Sequence, residues 1–110
     1  MNWLPLTTVE QVNDLIEQSH HQPSIIFKHS TRCSISCVAK DRFERQFKSD
    51  KANAWYLDLL SFREVSNHVA EVFNVEHQSP QVLLIKDGEC AFHTSHLDIY
   101  ADEVEKQIAA

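Results

Sequence analysis

Glycine is nearly missing from this chain: Gly88 is the only one in 110 residues. Flexible Gly/Ser linkers are therefore excluded, and with no internal repeat or low-complexity stretch nothing marks a domain boundary. Cysteine is sparse too. Three thiols, an odd number at unequal spacing in a chain that is 43% hydrophobic, do not form a secreted disulfide framework and point to an intracellular thiol site. Long apolar runs are absent, since stretches such as Val82 to Ile85 fall far short of a bilayer span. Met1-Asn2-Trp3-Leu4-Pro5 shows no basic leader region, so a cytoplasmic protein without membrane attachment is the expectation. Net positive charge is lacking as well. A formal charge of −6 argues against a nucleic-acid partner, because neutralising phosphates needs basic clusters.

The length suits a single domain, 1–110, large enough to bury a core without disulfide staples. Its charge is uneven: residues 28–51 hold seven of the ten Lys and Arg against Asp41, Glu44 and Asp50, a local +4 against −10 elsewhere. That cluster reads either as a positive field that attracts an anionic substrate or as a solvated helix face. The second reading has specific support in Asp41 with Arg45 and Glu44 with Lys48, which are i,i+4 pairs in the favourable order.

The most informative stretch is Lys28-His29-Ser30-Thr31-Arg32-Cys33-Ser34-Ile35-Ser36-Cys37. It follows the apolar run Ser24-Ile25-Ile26-Phe27 and precedes a helical pattern, which puts Cys33 where a strand turns into a helix N-terminus. Unpaired N–H groups and the positive dipole end of a helix favour a thiolate there, and Arg32 adds a cation. Cys33 is the candidate nucleophile.

Along the chain, Thr7-Thr8-Val9-Glu10 reads as a capping box opening a helix over about 8–19, with Val9, Val12, Leu15 and Ile16 at helical spacing. A strand over Ile25–Lys28 follows, continuous and apolar, as a central strand covered on both faces is. The next helix spans about 34–48, with Ile35, Val38, Ala39, Phe43 and Phe47 on its inner side and Cys37 outward with Lys40, Glu44 and Lys48. Trp55–Leu59 reads as a strand. Ser61-Phe62-Arg63-Glu64 reads as a second capping box, opening a helix with Val65, Val69, Val72 and Phe73. Then come Ser79-Pro80, the strand Val82–Ile85, an Asp87-Gly88 hairpin turn, a returning strand through Cys90 to Thr94, and a helix over about 99–109. Two right-handed crossovers and a hairpin make an α/β domain: a four-stranded mixed sheet with helices on both faces.

This order, with a cysteine at the first strand-to-helix junction and Ser79-Pro80 opening the third strand, resembles the thioredoxin fold. Lys28-His29-Ser30 with Cys33-Ser34-Ile35-Ser36, and His93-Thr94-Ser95-His96-Leu97-Asp98-Ile99, are similar to the YtxJ-like monothiol bacilliredoxins over essentially the whole chain. That family reads Cys-Pro-Ile-Ser after a His-Ser, so Ser34 stands where it has proline, and Cys37 adds a thiol that the pattern does not require.

The resemblance implies an enzyme that removes bacillithiol from protein mixed disulfides, with Cys33 as nucleophile and Cys37 as an optional resolving thiol. The implied partners are bacillithiolated client proteins and a low-molecular-weight thiol. Bacillithiol is a thiol co-substrate, with no resident cofactor or metal. Arg32 suits the malate group of bacillithiol. The resemblance also implies a cis Ser79-Pro80 bond facing Cys33, and assigns Arg32, Ser34, Ser36, Ser79 and Pro80 to substrate binding. Ser36 takes the place of a second, inward cysteine, where its hydroxyl either donates toward the Cys33 sulfur or bonds its own backbone. His29 and His96 are candidates either for tuning the thiolate or for satisfying loop carbonyls.

His20, His21, His68 and His77 show no metal-ligand spacing with the cysteines, and Cys90, beside the hairpin turn, reads as strand filler. Two other classes fit the residues: a soft-metal copper module using Cys33 and Cys37, and a non-catalytic interaction domain.

Overall fold

The structure is a computed structural model that describes all 110 residues. Its elements, in order, are β1 (Leu4–Pro5), α1 (Val9–Gln18), β2 (Ser24–His29), α2 (Ser34–Gln46), β3 (Asn53–Asp58), α3 (Arg63–Val72), β4 (Gln81–Lys86), β5 (Glu89–Ser95), a 3-10 turn (His96–Asp98) and α4 (Ala101–Ala109). The strands form one mixed sheet in the order β1-β3-β2-β4-β5. β2 runs parallel to β3 and antiparallel to β4, and β4 is antiparallel to β5.

Alternate residues of the central strands feed two cores. Ile26, Leu57, Leu83 and Ile85 pack with Val12 and Leu15 of α1 and Val65 and Val69 of α3. Ile25, Phe27, Val82 and Leu84 pack with Ala39 and Phe43 of α2 and Val104 and Ile108 of α4. Two helices therefore cover each face, and all six residues of β2 are buried.

The sheet has five strands rather than the expected four, because Leu4 and Pro5 pair in parallel with Trp55 and Tyr56. A two-residue edge strand containing proline leaves no periodic signal, and proline is tolerated at an edge. The N-cap of α1 lies one residue later than the capping box read from Thr7. Gln11 N–H donates to the Thr8 hydroxyl, and the Gln11 side-chain oxygen accepts the Thr8 N–H, each at 3.1 Å. The second box does not form. The Ser61 hydroxyl donates to Asp58 at 3.0 Å, and Phe62 takes the N-cap position of α3 without a side-chain cap.

On α2 the inward row is Ser36, Ala39 and Phe43, while Ile35 and Val38, expected inside, are 47% and 59% exposed. A buried partner for the Ser36 hydroxyl turns the helix to that setting. Asp41 and Arg45 pair at 3.1 Å as expected. Glu44 does not pair with Lys48, because α2 ends at Gln46 and the Lys48 N–H is taken by Glu105. Glu44 instead accepts from Lys40 at 3.2 Å and from the Trp3 indole at 2.7 Å. Arg42 donates to the carbonyls of Ile99 at 2.6 Å and Leu97 at 3.2 Å, tying α2 to the segment before α4, which starts at Ala101.

Asp87 (φ 52°) and Gly88 (φ 81°) close the β4–β5 hairpin with both central residues left-handed, the tight turn that places the chain's one glycine. Their N–H groups donate to the Ser19 carbonyl at 3.1 Å and hydroxyl at 2.8 Å, which docks the turn on the end of α1.

Candidate active site

Strand direction gathers the site at one end of the sheet. Leu57, Lys28, Gln81 and Ser95 lie side by side across β3, β2, β4 and β5. Just beyond that line come Asp58, His29 to Cys33, Ser79-Pro80 and His96. Cys90 and Gly88 are at the opposite end, and burial pushes the Cys90 thiol up, which leaves it a packing residue.

Cys33 is the N-cap residue of α2, with extended backbone (φ −107°, ψ 120°), and it is half-buried and free. Its N–H donates to the Ser30 carbonyl at 3.2 Å, and its own carbonyl accepts the Cys37 N–H at 3.1 Å. The sulfur therefore stands at the helix end, where the first-turn N–H groups have no intrahelical acceptor. Arg32 and Ser34, on either side, are exposed. Cys37, one turn on, is exposed and free, as its spacing predicts. On β3 the Tyr56 hydroxyl is raised, first by burial and then by Asp58, Cys37 and Glu44.

Behind Cys33 lies a buried polar seam. The Ser36 hydroxyl oxygen accepts the Ser30 N–H at 3.0 Å and meets His29 Nδ1 at 2.6 Å. In that second bond the hydroxyl donates when Nε2 carries the imidazole proton, and Nδ1 donates in the other tautomer. The partners of Ser36 are thus His29 at the end of β2 and Ser30 just after it, and a bond to the Cys33 sulfur is not among its contacts. Burial, then the charge of Lys40, holds His29 below its ordinary value, with Asp58 and Glu44 partly offsetting them.

The Ser79-Pro80 peptide is cis. The Pro80 carbonyl accepts the His96 N–H at 2.9 Å, and His96 Nε2 bonds the Gln78 side-chain oxygen at 2.9 Å, so His96 satisfies this loop. The Ser79 hydroxyl is buried and has no partner.

Sequence reasoning gave no role to Lys28 or to His77, a residue of the same loop, and the two meet at 3.3 Å. The available signal was a lysine near the end of a strand that otherwise reads as buried on both faces. No group of three or more His, Cys, Asp or Glu is arranged to hold a metal ion, and no helix is long and apolar enough to cross a membrane.

Residues 4–104 match the sequence profile of the monothiol bacilliredoxin BrxC family. The chain belongs to the monothiol bacilliredoxins. A solved structure described as a candidate oxidoreductase with a thioredoxin fold is 28% identical over 94% of this chain and 91% of its own, with a TM-score of 0.83. The thioredoxin of Malassezia sympodialis (14% identity, TM-score 0.75, 98% and 89% coverage) and that of Fasciola hepatica (17%, 0.71, 96% and 95%) share the fold. Family and fold together make this bacilliredoxin a thiol oxidoreductase of the thioredoxin fold. Within it, Ser36 is the buried residue of the first turn of α2, and Cys37, the next residue, is exposed.

Proposed function

We propose that this bacilliredoxin removes bacillithiol from protein mixed disulfides through Cys33, by a monothiol route. The observation that carries the reading is the pairing of a free, half-buried Cys33 at the α2 N-terminus with a buried serine, not a cysteine, at position 36. Cys33 thiolate attacks the bacillithiol sulfur. The sulfur–sulfur bond to the client breaks, the client leaves as a thiolate and takes up a proton, and Cys33 is left in a mixed disulfide with bacillithiol. A second bacillithiol thiolate then attacks the carried sulfur and expels Cys33, so two bacillithiols end as their disulfide while the client is reduced.

In this reading the first-turn N–H groups of α2 stabilise the sulfur anion at each stage. Arg32, exposed beside Cys33, attracts the carboxylates of bacillithiol. The client backbone lies along Ser79-Pro80, with Ser34 lining the approach. His29 and His96 act by holding Ser36 and the Gln78–Pro80 loop. No resident cofactor is involved. The expected setting is the cytoplasm, where thiols are kept reduced.

Incubation of the reduced protein with a bacillithiolated client tests this, followed by intact mass. The adduct is expected to move onto Cys33, and Cys33→Ser to leave the client modified. Stripping of the client at the normal rate by Cys33→Ser refutes the reading.

A further inference from the structure

Lys28 is fully buried, at 0% exposure, and forms no ion pair. Lysines are almost never buried to this degree unless paired, because the interior does not repay the lost hydration of an ammonium. Its neighbours are polar but uncharged: Nζ donates to the Ser66 carbonyl of α3 at 3.1 Å and to His77 Nδ1 at 3.3 Å. His77 also meets the Ser66 hydroxyl at 3.3 Å. Neither partner depends on Lys28 alone for a hydrogen bond, so an apolar chain of the same reach would fill the space at less cost.

What the ammonium does hold is a loop. Gln81, directly opposite Lys28 on β4 and also buried, grips the same segment from the other side. Its side chain donates to the Glu76 carbonyl at 3.0 Å and accepts the Gln78 N–H at 3.4 Å. His96 closes the third side through Gln78 and Pro80. Of these grips, only the one from Lys28 springs from β2, the strand that runs directly into Cys33. Lys28 and Cys33 are therefore five residues apart on one piece of chain, and the loop that Lys28 holds ends in Pro80, at the same end of the sheet as Cys33.

We propose that Lys28 is a positioning residue for the Cys33 reaction: through His77 it sets where the Glu76–Pro80 loop stands relative to Cys33, and so where a client protein's backbone lies. The inference rests on the thiol-exchange reading above, in which the client follows that loop. Lys28 touches neither thiol nor client; it acts through His77.

The test compares the full chain with Lys28→Met, His77→Ala and the double variant, using a bacillithiolated client protein and, separately, iodoacetamide alkylation of Cys33. Losing one hydrogen bond to a charged group corresponds to an increase in KM for the client of about tenfold. kcat and the alkylation rate are expected to stay within about twofold of the parent. The double variant should be no worse than the worse single one, because the two side chains form one contact. At pH 7 the unfolding midpoint of Lys28→Met is expected to be no lower than that of the parent, which separates positioning from a purely structural role. An unchanged KM in either folded variant overturns the proposal, as does a joint fall in alkylation, kcat and midpoint. His77 is at the surface, so His77→Ala decides the matter should Lys28→Met not fold. A parent protein that takes no bacillithiol onto Cys33 overturns the exchange reading itself, a result distinct from an active parent with indifferent variants.

Discussion

His29 Nδ1 and Ser36 Oγ meet at 2.6 Å across the seam between β2 and α2, both buried. The bond links the strand that ends before Cys33 to the helix that begins after it. It also explains why a serine rather than Ile35 or Val38 faces inward on α2. Ser36→Ala leaves the His29 ring nitrogen and the Ser30 N–H without their partner, at a cost of about 1–3 kcal/mol. Urea unfolding at pH 7.5 should show that loss, and Ser36→Thr should recover part of it. An unchanged midpoint for Ser36→Ala would mean that the seam adds nothing to stability.

The same histidine makes stability depend on pH in a defined sense. His29 and His77 are both held below 6.5, each first by burial. As pH falls below the unfolded value of about 6.5, the unfolded chain takes up protons that the folded chain does not, and the folded state loses ground until each lowered value is passed. Unfolding midpoints measured between pH 7.5 and 5 should therefore fall, and fall less for His29→Gln. A steeper decline in His29→Gln than in the parent contradicts this assignment.

Lys28 acts at the other end of the scale. Burial lowers it from 10.5 to about 8, so between those values the unfolded chain holds a proton that the folded chain has released. Stability linked to Lys28 rises with pH across that window, by on the order of 3 kcal/mol in full. Lys28→Met lacks this dependence. Its advantage over the parent should be largest near pH 7.5 and shrink by pH 9.5, and a gap that widens with pH would falsify the assignment.

Cys37 should be dispensable. Side chains four apart on a helix have Cβ atoms about 5–6 Å apart, whereas a disulfide needs about 3.8 Å. The Cys37 N–H to Cys33 carbonyl bond at 3.1 Å closes the turn that a Cys33–Cys37 bridge would have to open. With bacillithiol as reductant, Cys37→Ser is expected to keep most of the turnover while losing any intramolecular disulfide formed under oxidation. Accumulation of the Cys33 adduct in that variant under excess bacillithiol would establish a dithiol mechanism instead.

Local chemistry in the sequence determined much of this protein: the helix and strand order, the left-handed Asp87-Gly88 turn, and Cys33 at a strand-to-helix junction. Each depends on residues a few positions apart, whose periodicity and turn preferences act within one element. Other features depend on residues distant in sequence. Lys28 and His77 are 49 positions apart, and only the closing of β4 against β2 brings them together. The helical period of α2 was visible, but its rotation was set by His29 and Ser30, and so Ile35 and Val38 lie outside. Leu4 and Pro5 became a strand only because Trp55 and Tyr56 offered an edge. Burial of a cation and the choice of a hydrogen-bond partner are decided by what the rest of the fold places opposite, and that comes from tertiary structure alone.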